Sequence, residues 1–255
     1  MRLAHVTDLH FGAEQADVVA GLRRDLLTQG LDRVLVGGDL TMRARDRQFA
    51  AARELLEALG TPWTSVPGNH DLPLDRPVRA YGSLDSYRRL VGPPESVVRD
   101  GGLLLLGLSS PRAYLWKGGR VDAGQVTRIE TELAPDAELK VLMLHHPVFP
   151  SPQRPGEALA HGAQEVLRAA ASVRADLVLC GHEHVAAQVR LPGGVIGVLS
   201  GTACSWRVRA GEPQSYTVID VEGDRLTITV RHWRDGAFTE ASTTVWRRSR
   251  DGWQA

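Results

Sequence analysis

The sequence predicts an α/β protein with mixed sheets and helices packed outside them, on three observations. Short apolar runs recur along the first two thirds of the chain, as in strands buried on both faces. Stretches with apolar residues at helical spacing lie between them. After residue 214 the pattern changes to strict alternation around a glycine-containing turn, the signature of an antiparallel hairpin.

In order, "RLAHV", "RVLVGG", "GLLLLGL", "LKVLML", "ADLVLC" and "VIGVLS" read as strands. A further short apolar run ends at "SVPGNHD". Helices are expected around Val19, Leu22 and Leu26; Phe49, Ala52, Leu56 and Leu59; Val126, Ile129 and Leu133; and Val166, Ala170 and Val173. Asp122 is placed to cap the third of these. The region from about Leu72 to Pro94 reads as a loop with a short helix near Leu84 to Leu90. "SYTVIDVEGDRLTITVRHW" is the hairpin. No repeat or linker stands out, so residues 1–255 are expected to form one domain with a β-rich end from about 214.

A chain of 255 residues can bury a full core. Its 30 basic and 30 acidic residues balance, so no broad field favours nucleic acid or an anionic membrane. Arg247, Arg248 and Arg250 read as solvating the tail. Cys180 and Cys204 make neither a disulfide framework nor a thiolate metal site, and Cys180 reads as a small core residue. No run resembles a signal peptide or a membrane span, so a cytoplasmic protein without membrane contact is expected. The C-terminal hairpin with Trp233, Trp246 and Trp253 is expected either to cover the core or to form a homodimer surface.

The informative polar residues stand where strands end. "HVTDLH" brings Asp8 and His10, "VLVGGDL" Asp39, "SVPGNHD" Asn69 and His70, "VLMLHHP" His145 and His146, and "LVLCGHEH" His182 and His184. In extended backbone, residues two apart point the same way, so Asp8 with His10, and His182 with His184, are expected to converge in pairs. Ligands bind at the carboxyl ends of strands in open α/β sheets. Burying so many ionisable groups together without a cation would cost several kcal/mol per charge. Carboxylate, imidazole and amide oxygen without thiolate suit Mn, Fe, Zn or Co. Seven of these nine as ligands would be too many for one tetrahedral ion and about right for two.

The series D-x-H, GD, GNHD, H-x-P, GH-x-H, from Asp8 to His184, resembles the calcineurin-like metallophosphoesterases. The resemblance implies a four-layer fold, a two-sheet mixed β-sandwich flanked by helices. It implies that Asp8, His10 and His184 hold one divalent metal, that Asn69, His145 and His182 hold the other, and that Asp39 bridges both. His145 rather than His146 fits the His-x-Pro pattern, leaving His146 to line or pack the pocket. Manganese is the expected metal, with Fe, Zn or Co as alternatives. Two such ions would lower the pKa of a shared water, whose hydroxide attacks phosphorus in line. Asp39 and His70 are the expected catalytic residues, His70 hydrogen-bonding the phosphoryl group or protonating the leaving oxygen. Asp71 is expected to orient His70 or to cap its loop, and Glu183 to face away from the metals, solvated or behind the ligands.

The start at the first strand, together with "HHP", "GHEH", "GTA" and "SYTVIDV", most resembles bacterial cyclic-nucleotide and glycerophosphodiester phosphodiesterases. A small-molecule phosphodiester, cyclic nucleotides included, is therefore the expected substrate. A phosphomonoesterase or nuclease of the same family is the alternative, and a non-catalytic scaffold is the least favoured reading. Nucleic acid is not favoured, because a nuclease should show a basic groove. Arg43 is expected to cap the following helix or reach a phosphate. Arg112 and the stretch from Trp206 to Arg209, including Arg207, are candidates for the pocket rim, arginine for phosphate and the aromatic for a base.

Overall fold

The computed structural model describes residues 1–73, 84–209 and 211–255. One sheet is built from β1 (Arg2–Val6), β2 (Arg33–Val36), β3 (Trp63–Ser65), β10 (Ser215–Glu222), β11 (Arg225–Arg234), β12 (Ala237–Ser249) and β13 (Gly252–Gln254). Its spatial order is β13-β12-β11-β10-β1-β2-β3. The other takes β4 (Ser96–Asp100), β5 (Leu103–Leu108), β6 (Leu139–Leu144), β7 (Leu177–Cys180), β8 (Ala187–Arg190) and β9 (Ile196–Leu199), in the order β4-β5-β6-β7-β9-β8. Both are mixed. β1 pairs parallel with β2 and antiparallel with β10, while β5, β6, β7 and β9 run parallel between two antiparallel edges.

Side-chain alternation along these strands produces the layers. On β6, Leu139, Val141 and Met143 face the core between the two sheets, and Leu142 and Leu144 face outward. The outward face is covered by α4 (Ala123–Glu132) and α5 (Ala163–Ser172) through Ile129, Val166, Ala169 and Ala170. On β2, Leu35 points to the intersheet core while Val34 and Val36 meet α1 (Ala16–Thr28) and α2 (Asp46–Glu57) through Val18, Leu22, Leu26, Phe49 and Leu56. The result is the expected four-layer order of helices, sheet, sheet, helices. Asp122 caps α4, its side chain accepting from Gln125 N at 3.0 Å. A short helix α3 (Asp85–Leu90) stands where expected, although residues 74–83 of that loop fall outside the described part.

Several elements differ from expectation. β4, β8, β12 and β13 had no apolar run to announce them; most of β12 is exposed, with only Phe238 and Trp246 fully buried, so no continuous hydrophobic pattern marks it. The three tryptophans lie against the core. Trp246 and Trp253 are buried, donating to Gln188 Oε1 and Asp176 Oδ1, and Trp233 packs over Gly21 of α1. Arg248 is not merely solvated: it pairs with Asp176 at 3.2 Å and lies 4.6 Å over the Trp253 ring. Cys180 is a buried free thiol in the core, as expected. Among the described residues no helix is long and apolar enough to cross a membrane.

Asp176 therefore ties the sheets together, accepting from Lys140 N at 2.7 Å on β6 and from Trp253 Nε1 at 2.9 Å on β13. Burial pushes its carboxyl up, against these donors. Asp176→Ala would leave two buried donors unpaired and is expected to cost about 2–4 kcal/mol. Urea unfolding measures this, and an unchanged midpoint would refute the stitching role.

Candidate metal centre and active site

The ends of β1, β2, β3, β6 and β7 all open at one edge of the two sheets, and the chain there leaves extended geometry at once. Asp8, His10, Asp39, His182 and His184 take positive φ of 54°, 47°, 51°, 72° and 56°. They are five of the eight non-glycine residues with positive φ among those described. Left-handed backbone is costly for such residues and clusters at functional sites. Convergence of Asp8 with His10 thus comes from left-handed turns, not from the i, i+2 alternation of a strand. Close approach is secured by glycine. A Cβ at Gly68 would lie 2.1 Å from Asp39 Oδ1, and one at Gly181 2.6 Å from Asp8 Oδ2.

Asp8, His10, Asp39, His145, His182 and His184 are brought into one cluster, and Asn69 precedes His70, whose N–H donates to Asp39. Asp8, His10, Asp39, Asn69, His145 and His184 are buried and His182 is half-buried. Asp8 Oδ2 accepts from Thr7 Oγ1 at 2.7 Å and His182 N at 2.9 Å. This leaves Oδ1 with no hydrogen-bond partner, 3.0 Å from His184 Nε2 and 3.6 Å from His10 Nε2. His184 Nδ1–H donates to the Arg207 carbonyl, so its Nε2 presents a lone pair, yet it stands 3.1 Å from His10 Nε2. Across the site, His145 Nδ1–H donates to Gly37 O at 2.8 Å, which aims Nε2 inward. That atom lies 3.4 Å from Asp39 Oδ2 and 3.3 Å from His182 Nδ1. Asn69 Oδ1 is buried without a partner. Asp39 Oδ2 is also 3.7 Å from His10 Nε2, so it stands between the two groups. Its other oxygen accepts from His70 N at 2.8 Å.

The electrostatics agree with a site made of acceptors. Burial is the largest influence on His10 and His182 and lowers them to about 3 and about 4, so both rings offer lone pairs at neutral pH. Burial pushes Asp39 up, but His145, His70 and His10 outweigh it and hold its carboxyl well below the usual range. His145 is also opposed by burial, yet Asp39 raises it to about 9. Unpartnered oxygens, facing nitrogens and the absence of thiolate fit divalent cations with mixed nitrogen and oxygen ligation. Ring nitrogens and carboxylate oxygens of Asp8, His10 and His184, and of Asp8, Asp39 and His145, lie within 4.8 Å of one another.

The neighbours resolve several open expectations. His146 is buried in the wall, its Nδ1 2.8 Å from Ser110 Oγ and its ring 4.8 Å from that of His182. It also falls within 4.8 Å of the ring nitrogens of His145 and His182, but only His145 reaches Asp39 as well. Asp71 caps the loop and does not orient His70: its oxygens accept from Leu40 N, Thr41 N, Thr41 Oγ1 and Gly68 N. Burial first, and Asp39 second, raise its carboxyl to about 7. Glu183 is buried, at 3% exposure, not solvated; burial raises its carboxyl while Arg154 and Arg209 oppose that. Arg43 does not cap α2; Gln48 Oε1 does, accepting from Arg43 N and Arg45 N. Arg112 serves the scaffold, binding Ser109 O, Pro111 O, Asp122 and Gln125.

His70 and Arg207 form the remaining part. His70 Nδ1–H donates to Met42 O at 2.9 Å, and Arg207 Nη1 donates to His70 Nε2 at 2.9 Å. Arg207 stood only among rim candidates because it belongs to no motif. It follows His184 by 23 residues, and β8, β9 and the loop after them return it to the site.

Residues 1–186 match the family model described as calcineurin-like phosphoesterase. A glycerophosphodiester phosphodiesterase of Enterobacter lignolyticus is 30% identical over 222 residues, 79% of this chain and 77% of its own. A probable cyclic nucleotide phosphodiesterase of a Synechococcus species is 26% identical over 250 residues, 92% of this chain and 93% of its own. In fold, the chain superposes on the crystal structure of a dimetal phosphatase from Danio rerio with a TM-score of 0.72 at 13% identity, covering 96% of this chain and 98% of that one. The chain belongs to the calcineurin-like phosphoesterase family and is a metal-dependent phosphoester hydrolase.

Proposed function

We propose that the protein hydrolyses small phosphodiesters, of the cyclic-nucleotide or glycerophosphodiester kind, at a dinuclear centre. One cation would be held by Asp8 Oδ1, His10 Nε2 and His184 Nε2, the other by Asn69 Oδ1, His145 Nε2 and His182 Nδ1, with Asp39 Oδ2 between them. When bound, the pair supplies an activated water near neutral pH and neutralises the phosphoryl oxygens. Manganese suits this donor set. The observation that carries the reading is the buried, unpartnered Asp8 Oδ1 facing the His10 and His184 ring nitrogens, with Asn69 Oδ1 likewise buried and unpartnered.

The chain's own groups do the rest. Arg207 binds a phosphoryl oxygen, a charge-assisted contact favoured by its guanidinium, and in doing so leaves His70 Nε2. His70, its Nδ1–H held by Met42 O, takes a proton from solvent on the freed Nε2 and, as imidazolium, gives it to the leaving oxygen as the P–O bond breaks, returning to the neutral ring. The exposed indole of Trp206, next to Arg207 in the chain, offers a face for a base or other flat leaving group. Assaying bis(p-nitrophenyl) phosphate beside p-nitrophenyl phosphate tests the substrate class. Faster turnover of the diester is expected, and a preference for the monoester would reassign the protein as a phosphatase.

A further inference from the structure

Beside the metal cluster lies a cavity of about 390 Å³ that the mechanism above leaves unused. Arg43, Arg45 and Arg47 line it, together with Met42, Gln48 and Glu14. None of the three guanidinium groups is in an ion pair among the described residues. The one carboxylate on the wall, that of Glu14, accepts from Gly12 N. Asp46, adjacent in sequence, is held by Ser86 and Arg89. The arginines stand on a pinned backbone, since Gln48 Oε1 accepts from Arg43 N at 3.0 Å and Arg45 N at 3.4 Å. In a chain whose net charge is zero, three cations around one concavity with a single opposing acid make a local anion trap.

Met42 connects this cavity to the chemistry. Its carbonyl holds His70 Nδ1–H at 2.9 Å, its sulfur lies 3.4 Å from Arg207 Nη1, and the residue lines the cavity. An anion seated among the arginines therefore sits one residue away from the histidine expected to serve the leaving group.

We propose that this cavity binds a second anionic group of the substrate, a phosphate, phosphonate or carboxylate joined by a short linker to the phosphodiester. The inference rests on the phosphodiesterase reading and narrows it to diesters that bear a further negative charge on the leaving side. Binding of the pendant anion positions the leaving oxygen toward His70.

Two methyl alkyl phosphodiesters differing only at the far end of the alkyl group, phosphonate in one and hydroxyl in the other, provide the test with metal-loaded protein, release of the alkyl alcohol being the reaction followed. Wild type is expected to favour the phosphonate-ended diester in kcat/KM. The combined R43Q, R45Q and R47Q variant is expected to reduce that preference at least about tenfold, as loss of charge-assisted bonds implies. The three side chains are exposed, so an unchanged thermal midpoint establishes that the variant is folded. Calorimetric titration with the phosphonate-ended alcohol alone should show the same weakening. A preference or affinity that survives the triple substitution overturns the proposal. So does binding that depends on the arginines while the substrate preference does not, because the cavity would then hold a free anion instead of part of the substrate. Failure of wild type to hydrolyse either diester would instead sink the phosphodiesterase reading, while the titration still reports on the cavity.

Discussion

Asp39→Asn is expected to lower kcat by roughly 10³-fold or more, the loss seen when a preorganised charge is removed from a reacting centre. It is also expected to weaken retention of both metals at once. The cause is local. Asp39 Oδ2 lies 3.4 Å from His145 Nε2 and 3.7 Å from His10 Nε2, so one oxygen serves both halves of the cluster. An amide of the same shape still accepts from His70 N through its oxygen, but it places a neutral donor where an anion faced two sets of lone pairs. Elemental analysis of the purified variant beside its turnover checks both effects. Two tightly held ions and an undiminished rate would show that Asp39 is not the shared ligand.

His70→Ala is expected to behave differently, lowering the rate roughly 10²–10⁴-fold, the range for a general acid, while metal content stays at the wild-type level. The backbone N–H of residue 70, which donates to Asp39 Oδ1 at 2.8 Å, survives the substitution. What is lost is the imidazole between Met42 O and Arg207 Nη1. Diesters with a good leaving group need less proton assistance, so the defect should shrink for nitrophenyl esters and deepen for alkyl esters. Loss of metal, or equal defects for both leaving groups, would remove His70 from the proton-transfer role.

Much of the site was legible because the ligand residues follow directly after apolar strands, and parallel strands in a mixed sheet end at one edge. Asp8 after "RLAHV" and His182 after "ADLVLC" are 174 residues apart in sequence, yet His182 N donates to Asp8 Oδ2. The backbone that aims them was not legible. Left-handed φ at aspartate and histidine has no compositional mark, and the expectation of extended geometry at Asp8 and His10 was wrong for that reason. Arg207 was equally obscure as a partner of His70: only the return of the chain through β8 and β9 places it there. In the fold, buried strands such as β5 and β6 were evident from continuous apolar runs. β12 was not, since hydrogen bonding to β11 and β13 holds a strand most of whose side chains, Phe238 and Trp246 apart, face water. For Glu183 the sequence left a solvated position and one behind the ligands open, and its burial near Arg154 and Arg209 excludes the first.

Asp8, His10 and His184 on one side, and Asn69, His145 and His182 on the other, are proposed to clamp a pair of divalent cations about Asp39. Anomalous diffraction from crystals grown with manganese measures this directly. Two peaks per chain are expected, one within each set of three and both beside Asp39 Oδ2. A single peak, or peaks away from these seven side chains, would contradict the proposal.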